Sequence, residues 1–389
     1  QALAFMIGMG SGNYMTRSLG AGKRELAEQI VSIAFFTGII MGLVITVSAT
    51  FNIHRVVLLL GATETIAPYA EAYAHYIFIA APFMICSFIM NNLLRFQGKA
   101  SFAMVGITVG GLLNIALDPL FIFTLDMGTA GAALATGLSQ FISFCILLWM
   151  CNHQDSCISI SIRKFRPKLA IYREVLYGGI PSLGRQGIAS VATILMNFMC
   201  QPYGDAAIAA MSIVSRFMFF INSVIIGFGQ GFQPVCSYCF GAGLYDRVKK
   251  ACWFCIRVST IILLVLSVIS FPAARSIITL FRRNDPTVIE IGTLALRLQL
   301  ITLPLQGAVI MGNMMPQSIG YGFRATLVST ARQGIFLIPL LTIMTYTIGL
   351  LGIQCAQPLA DIATFILSLF VIRGIFKEFP EDASSFAAQ

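Results

Sequence analysis

Charge is what this sequence has least of. Asp, Glu, Lys and Arg make up 11% of its 389 residues, against about 25% in an ordinary soluble domain, so the chain cannot cover a folded core with a water-facing surface. The few charges are also unevenly placed. None falls between Gln29 and Ile53, Ala72 and Leu94, Met127 and Gln154, Phe217 and Tyr245, Leu298 and Phe323, or Gln333 and Ala360. Each run exceeds the ~20 residues a helix needs to cross ~30 Å of hydrocarbon. The alternating ~10-residue segments of a β-barrel are missing. Histidine is scarce, with three residues, and there is no Walker A loop, Rossmann fingerprint or helical His pair for a metal. These absences argue against ATP hydrolysis by this chain and against an enzyme, and no cofactor is expected.

What is present is apolar: 57% of the residues are hydrophobic, and the expected fold is all-α, a polytopic bundle of membrane helices. The ten cysteines lie mostly inside apolar runs, where free Cys behaves as a small hydrophobe. Cys236-x2-Cys239 and Cys252-x2-Cys255 have the spacing of zinc ligands, but they sit at apolar helix ends around a basic loop, and no metal site is expected there. The net charge of +9 is an orientation signal, not a nucleic-acid footprint. Arg17, Lys23, Arg24, Arg95, Lys99, the group from Arg163 to Arg173, Arg247, Lys249, Lys250, Arg324, Arg373 and Lys377 fall in one set of alternate loops; Arg55, Arg275, Arg282 and Arg283 fall in the other. The basic set is cytoplasmic by the positive-inside rule, which predicts a multi-pass protein of the plasma or inner membrane, a monomer with no nucleic-acid partner.

Two halves of the chain resemble each other at an offset of about 221 residues. Gly20-Ala21-Gly22 matches Gly241-Ala242-Gly243, Asn92-Leu93-Leu94 matches Asn313-Met314-Met315, Pro82 matches Pro304 within one residue, and Gly128 and Gly131 match Gly349 and Gly352. The pattern predicts two parallel six-helix repeats, the first incomplete by its opening span. The expected domains are an N-terminal lobe at 1–151, a basic linker at 152–177, a C-terminal lobe at 178–375 and a cytoplasmic tail at 376–389.

Charge inside a membrane span is costly and points to function. Asn114 and Asp118 lie four apart, on one helix face, and Pro119 crowds the carbonyl of Ile115 so that the helix should bend there. A carboxylate, an amide and a freed carbonyl on one turn suit a proton or a small hard cation, and Thr136, two turns into the next span, can add a hydroxyl. Local capping by Asp118 is the structural alternative. Repeat symmetry puts Ile335 and Pro339 at the matching places, so this cluster belongs to one lobe. In the last span Asp361 shares a face with Gln354 and Gln357. A cationic substrate can use that face, or Arg332 or Arg216 can neutralise Asp361.

These motifs carry a resemblance. Leu19-Gly20-Ala21-Gly22-Lys23, Leu94-Arg95-Phe96-Gln97-Gly98, Leu113-Asn114-Ile115-Ala116-Leu117-Asp118-Pro119 and Gly131-Ala132-Ala133-Leu134-Ala135-Thr136, in that order within a duplicated six-span plan, make the chain similar to the multidrug and toxic compound extrusion (MATE) family. The resemblance implies a V-shaped pair of lobes that alternates between outward and inward openings. It implies export of amphipathic, often cationic organic compounds in exchange for H⁺ or Na⁺, with Asn114, Asp118 and Thr136 in the ion-coupling site and a further Asp on a first span that this sequence lacks. A flippase for lipid-linked oligosaccharide or peptidoglycan precursor, from the same wider superfamily, and a membrane-embedded transferase are the alternatives.

Overall fold

The computed structural model describes residues 1–59, 66–153, 160–283 and 285–380. Parts of the expected linker (154–159) and tail (381–389) lie outside the described residues. Among the described residues every regular element is helical. The first half holds α1 (Ala2–Gly20), α2 (Arg24–Phe51), the short α3 (Ile53–Leu59), α4 (Ala67–Phe96), α5 (Ala100–Pro119) and α6 (Gly128–His153). Then come α7 (Leu169–Cys200), α8 (Asp205–Gly241), α9 (Tyr245–Phe281), α10 (Pro286–Thr302) and α11 (Gln306–Ile319). The chain closes with α12 (Gly322–Thr330), α13 (Leu337–Ile348) and α14 (Leu350–Glu378). Nine helical stretches among the described residues are long and apolar enough to cross a membrane, and the chain is a multi-pass membrane protein.

The fold divides into two units, Gln1–Gly179 and Ile180 onward. In the first, α4 is the hub, packed against α1, α2, α5 and α6. In the second, α11 packs against α8, α9 and α12, and α14 against α10, α11 and α13. The expected linker is not a free tether. Lys164 pairs with Glu28 at 2.7 Å, Phe165 meets Phe36, the Tyr172 hydroxyl lies 2.9 Å from Thr37, and Glu174 lies 3.5 Å from Arg17. α7 begins inside that stretch, at Leu169, and crosses α1 backbone to backbone. A Cβ on Gly10 would sit 1.9 Å from the Val175 carbonyl oxygen, and one on Gly179 would sit 2.1 Å from that of Met6. Only glycine permits such an approach.

The duplication is written in hydrogen bonds as well as in sequence. Thr16 donates to the Phe96 carbonyl at 3.0 Å, and Ser237 donates to Ser318 at 3.1 Å. Thr46 reaches the Phe78 carbonyl and Ser267 that of Leu300, each at 2.6 Å. Asn91 donates to Ala103 at 2.7 Å, and Asn313 to Ala325 at 2.8 Å. Four helices also end alike, on a glycine at positive φ (Gly22 73°, Gly98 81°, Gly243 74°, Gly320 92°), each with the next amide reaching back to the carbonyl five residues before it. The matched offset is 221 at Thr16 and Thr46 but 222 from Phe78 to Ala103. Asn91, not its neighbour Asn92, is therefore the counterpart of Asn313.

Candidate functional site

The first polar cluster depends on how closely α5 and α6 approach. Ser143 donates to the Gly106 carbonyl at 2.8 Å, and a Cβ on Gly106 would lie 2.4 Å from Leu147. A Cβ on Gly110 would lie 3.0 Å from that of Ser143. Pro119 does end the regular turns of α5, and the chain runs straight into a π turn over Leu120–Thr124, closed by the Leu125 amide on the Leu120 carbonyl at 3.0 Å. Gly131 at the start of α6 backs onto that turn, its missing Cβ 2.7 Å from the Phe121 carbonyl oxygen.

This packing brings together the three residues singled out on these helices. Asn114 Nδ2 donates to Asp118 Oδ1 at 3.1 Å and to Thr136 Oγ1 at 3.4 Å, while the Thr136 hydroxyl donates to the Ala132 carbonyl at 3.0 Å. All three are half-buried. Among the described residues no Lys, Arg or His pairs with Asp118. One face of α5 is apolar, with Met104, Leu112 and Ile115 exposed.

The second cluster lies on the matching helices of the other unit and is built differently. α12 passes into a π segment, Ala331–Phe336, before α13. From that segment Arg332 Nε donates to Asp361 Oδ1 at 2.8 Å, and Gln357 Nε2 donates to the same oxygen at 2.9 Å. Asp361 is 1% exposed and Arg332 24%. Asp361 Oδ2 is buried without a hydrogen-bond partner. Gln354, which shares the helix face, turns away and donates to the Ile291 carbonyl at 3.0 Å. Arg216 is exposed and forms no ion pair among the described residues.

Sequence reasoning missed Gln306, which is fully buried with neither side-chain polar atom partnered. It is one of three glutamines in the charge-free run from Leu298 to Phe323, with Gln299 and Gln317, and nothing in the sequence sets it apart from them. The paired Cys motifs hold no metal cluster among the described residues; Cys236, Cys252 and Cys255 pack in an apolar core with Phe232, Met311 and Ile372.

A duplicated set of membrane helices with an intramembrane carboxylate on a kinked turn defines a class, that of secondary membrane transporters. The MatE family model matches residues 1–120 and 181–343, and the chain belongs to that family. It is 28% identical over 370 residues to the multidrug export protein MepA of Staphylococcus saprophyticus, spanning 95% of this chain and 81% of that protein. MepA of Staphylococcus aureus strain N315 is 29% identical over 373 residues, with the same coverage. Among solved structures, an outward-facing multidrug resistance MATE family transporter superposes with a TM-score of 0.91 at 25% identity, covering 98% of this chain and 86% of that one. A MOP superfamily transporter from Pyrococcus furiosus gives 0.90 at 26% identity, with the same coverage.

Proposed function

We propose that this chain exports amphipathic and cationic organic compounds, drugs and toxins among them, across the cell membrane by exchange for H⁺ or Na⁺. The MepA relatives supply the substrate class. The observation that carries the coupling is the Asn114–Asp118–Thr136 cluster: a carboxylate inside a span, held by an amide and paired with no cation among the described residues. Ion binding at Asp118 biases the lobes only if the two transport states differ in affinity for the ion. The same charge, neutralised in one state and exposed in the other, links the gradient to substrate release. The basic loops face the cytoplasm, the working unit is the monomer, and no covalent chemistry is involved.

We take H⁺ as the ion to test first. Asn114 presents its NH₂ group to Asp118, which leaves the second carboxylate oxygen to take a proton without rearrangement. Na⁺ needs several oxygens at once, so the amide would have to turn its oxygen toward the carboxylate. The test is fluorescent-cation transport in everted vesicles, driven in turn by a proton and by a sodium gradient, with wild type and Asp118→Asn. Coupled transport should vanish in the variant while membrane insertion stays intact. Unchanged transport by Asp118→Asn sinks the coupling role. No transport by wild type, across several dyes, favours the flippase alternative.

A further inference from the structure

Asp361 looks at first like a second coupling carboxylate. It lies mid-span on the last helix of its unit, at 1% exposure, and an amide holds it one turn away, through Gln357 at 2.9 Å. Gln357 is the repeat counterpart of Thr136, so both units place an oxygen-bearing side chain at this position of their last helix. A buried carboxylate with one unpartnered oxygen can take a proton as it stands, and with the Gln357 amide turned to offer its oxygen it gives donors of the kind that hold a small hard cation.

Arg332 already supplies that cation. Among the described residues only Arg332, of the charged side chains on the elements packed against α14, reaches Asp361. Arg297 lies over the Phe271 ring, Arg324 pairs with Glu378, and Glu290 makes no ion pair among the described residues. Arg373, Lys377 and Glu378 on α14 itself lie three turns or more away. In the first unit the matching place is Gly110-Gly111, and a Cβ on Gly111 would meet nothing within 4 Å. Asp118, the carboxylate of that unit, is held by Asn114 and pairs with no cation among the described residues.

We propose that Arg332 is a resident cation: its guanidinium occupies a carboxylate–amide site on α14 that takes an exchangeable monovalent cation, H⁺ or Na⁺, once the arginine is removed. Arg332 thus sets which ions this unit can exchange. The proposal goes beyond the coupling reading and does not depend on it.

The test uses purified full-length protein in the Asp118→Asn background, so that the first cluster contributes nothing. Proton uptake on acidification, radioactive sodium binding, and melting temperature in sodium against choline chloride are measured. With Arg332 in place, adding Asp361→Asn should change neither ion uptake nor the sodium dependence of melting. Arg332→Gln should gain a single ion per chain and a sodium- or acid-dependent rise in melting temperature, as mass action requires, and Asp361→Asn should abolish both gains. Arg332→Lys, which keeps the charge, should gain neither. A folded Arg332→Gln protein without the gain overturns the proposal, as does Asp361-dependent uptake while Arg332 is present. If Arg332→Gln accumulates poorly, Arg332→Gln with Gln357→Lys returns a charge one turn from Asp361. That pair should recover the protein level without gaining ion uptake, and its failure to do so also overturns the proposal. The outcome for transport by Asp118→Asn is read separately and bears on the coupling reading alone.

Discussion

The two units place a carboxylate on their last two spans, and they treat it in opposite ways. Asp118 is half-buried, held by Asn114 and, through it, by Thr136, with no cation among its described neighbours. Asp361 is almost fully buried and fixed by a guanidinium. A charge left without a partner inside a membrane must find an ion, change its protonation, or face water. A charge paired by a side chain of the same chain needs none of these. The two units differ in where the carboxylate stands, since the repeat register sets Asp118 against Pro339 and Asp361 against Gln140, and in whether a cation of the same chain is at hand, Arg332 in the second unit against Gly110-Gly111 in the first.

The sharpest way to break this comparison is to remove each charge in turn and read transport and stability separately. Asp118→Asn should bring gradient-driven dye export down to the level of empty vesicles, yet leave the unfolding free energy within about 0.5 kcal/mol of wild type, as for a change that breaks no buried pair. Asp361→Asn should do the reverse in kind. It strands Arg332 in a largely apolar setting and should lower stability by about 3 kcal/mol, the lower end of the range for breaking a buried ion pair, because the guanidinium keeps some exposure. Replacing both partners, Arg332→Met with Asp361→Leu, should restore most of that loss. Chemical denaturation in detergent, beside a vesicle assay, checks all three. If Asp361→Asn were neutral for folding and fatal for coupling, the two sites would be alike.

A smaller effect should come from the packing that assembles the first cluster. Gly131→Val puts side-chain atoms where the Phe121 carbonyl stands, 2.7 Å from the first added carbon. It should push the start of α6 off the π turn at a cost of about 1–3 kcal/mol and carry Thr136 away from Asn114. Transport should fall although every polar residue is present. Gly128→Ala, at positive φ but with open space around it, should disturb the loop and leave transport near wild type. Equal losses in both would mean that the loop, and not the α5–α6 contact, governs the site.

Much of this architecture is legible in the sequence, for a physical reason. Hydrocarbon excludes charge over ~20 residues at a time, so the charge-free runs mark the spans directly. Asn114 and Asp118 are legible because their partners lie one turn away or on the adjoining helix. Long-range facts are harder to read. Asn91 and Asn92 are adjacent, and only the hydrogen bonds to Ala103 and Ala325 show that Asn91 matches Asn313. Gln354 lies on the face of Asp361, but a shared face is not a shared level. Seven residues along a helix is about 10.5 Å, so Gln354 bonds to α10 instead. The π segment that presents Arg332 ends three residues before Pro339, but that proline does not say which side chain the segment presents, and the burial of Gln306 depends on helices far away in sequence.

Thr136→Val should have the smallest effect, and it sharpens the assignment of the ion. The Asn114–Thr136 contact is long, at 3.4 Å, and the hydroxyl already donates to the Ala132 carbonyl. If Asp118 works by carrying a proton, Thr136 only helps to orient the amide. Its loss should then weaken coupling by about 0.5–1.5 kcal/mol, the net worth of an ordinary hydrogen bond, or roughly tenfold at most. If Na⁺ is the coupling ion, Thr136 Oγ1 is one of few oxygens able to bind it, and the same substitution should approach Asp118→Asn in severity. The rate of dye export under a proton gradient and under a sodium gradient, for Thr136→Val beside Thr136→Ser, separates the two. A hydroxyl that matters only as an orienting group leaves both gradients ranked as in wild type. A hydroxyl that ligates the ion costs the sodium-driven rate alone, and Ser restores it.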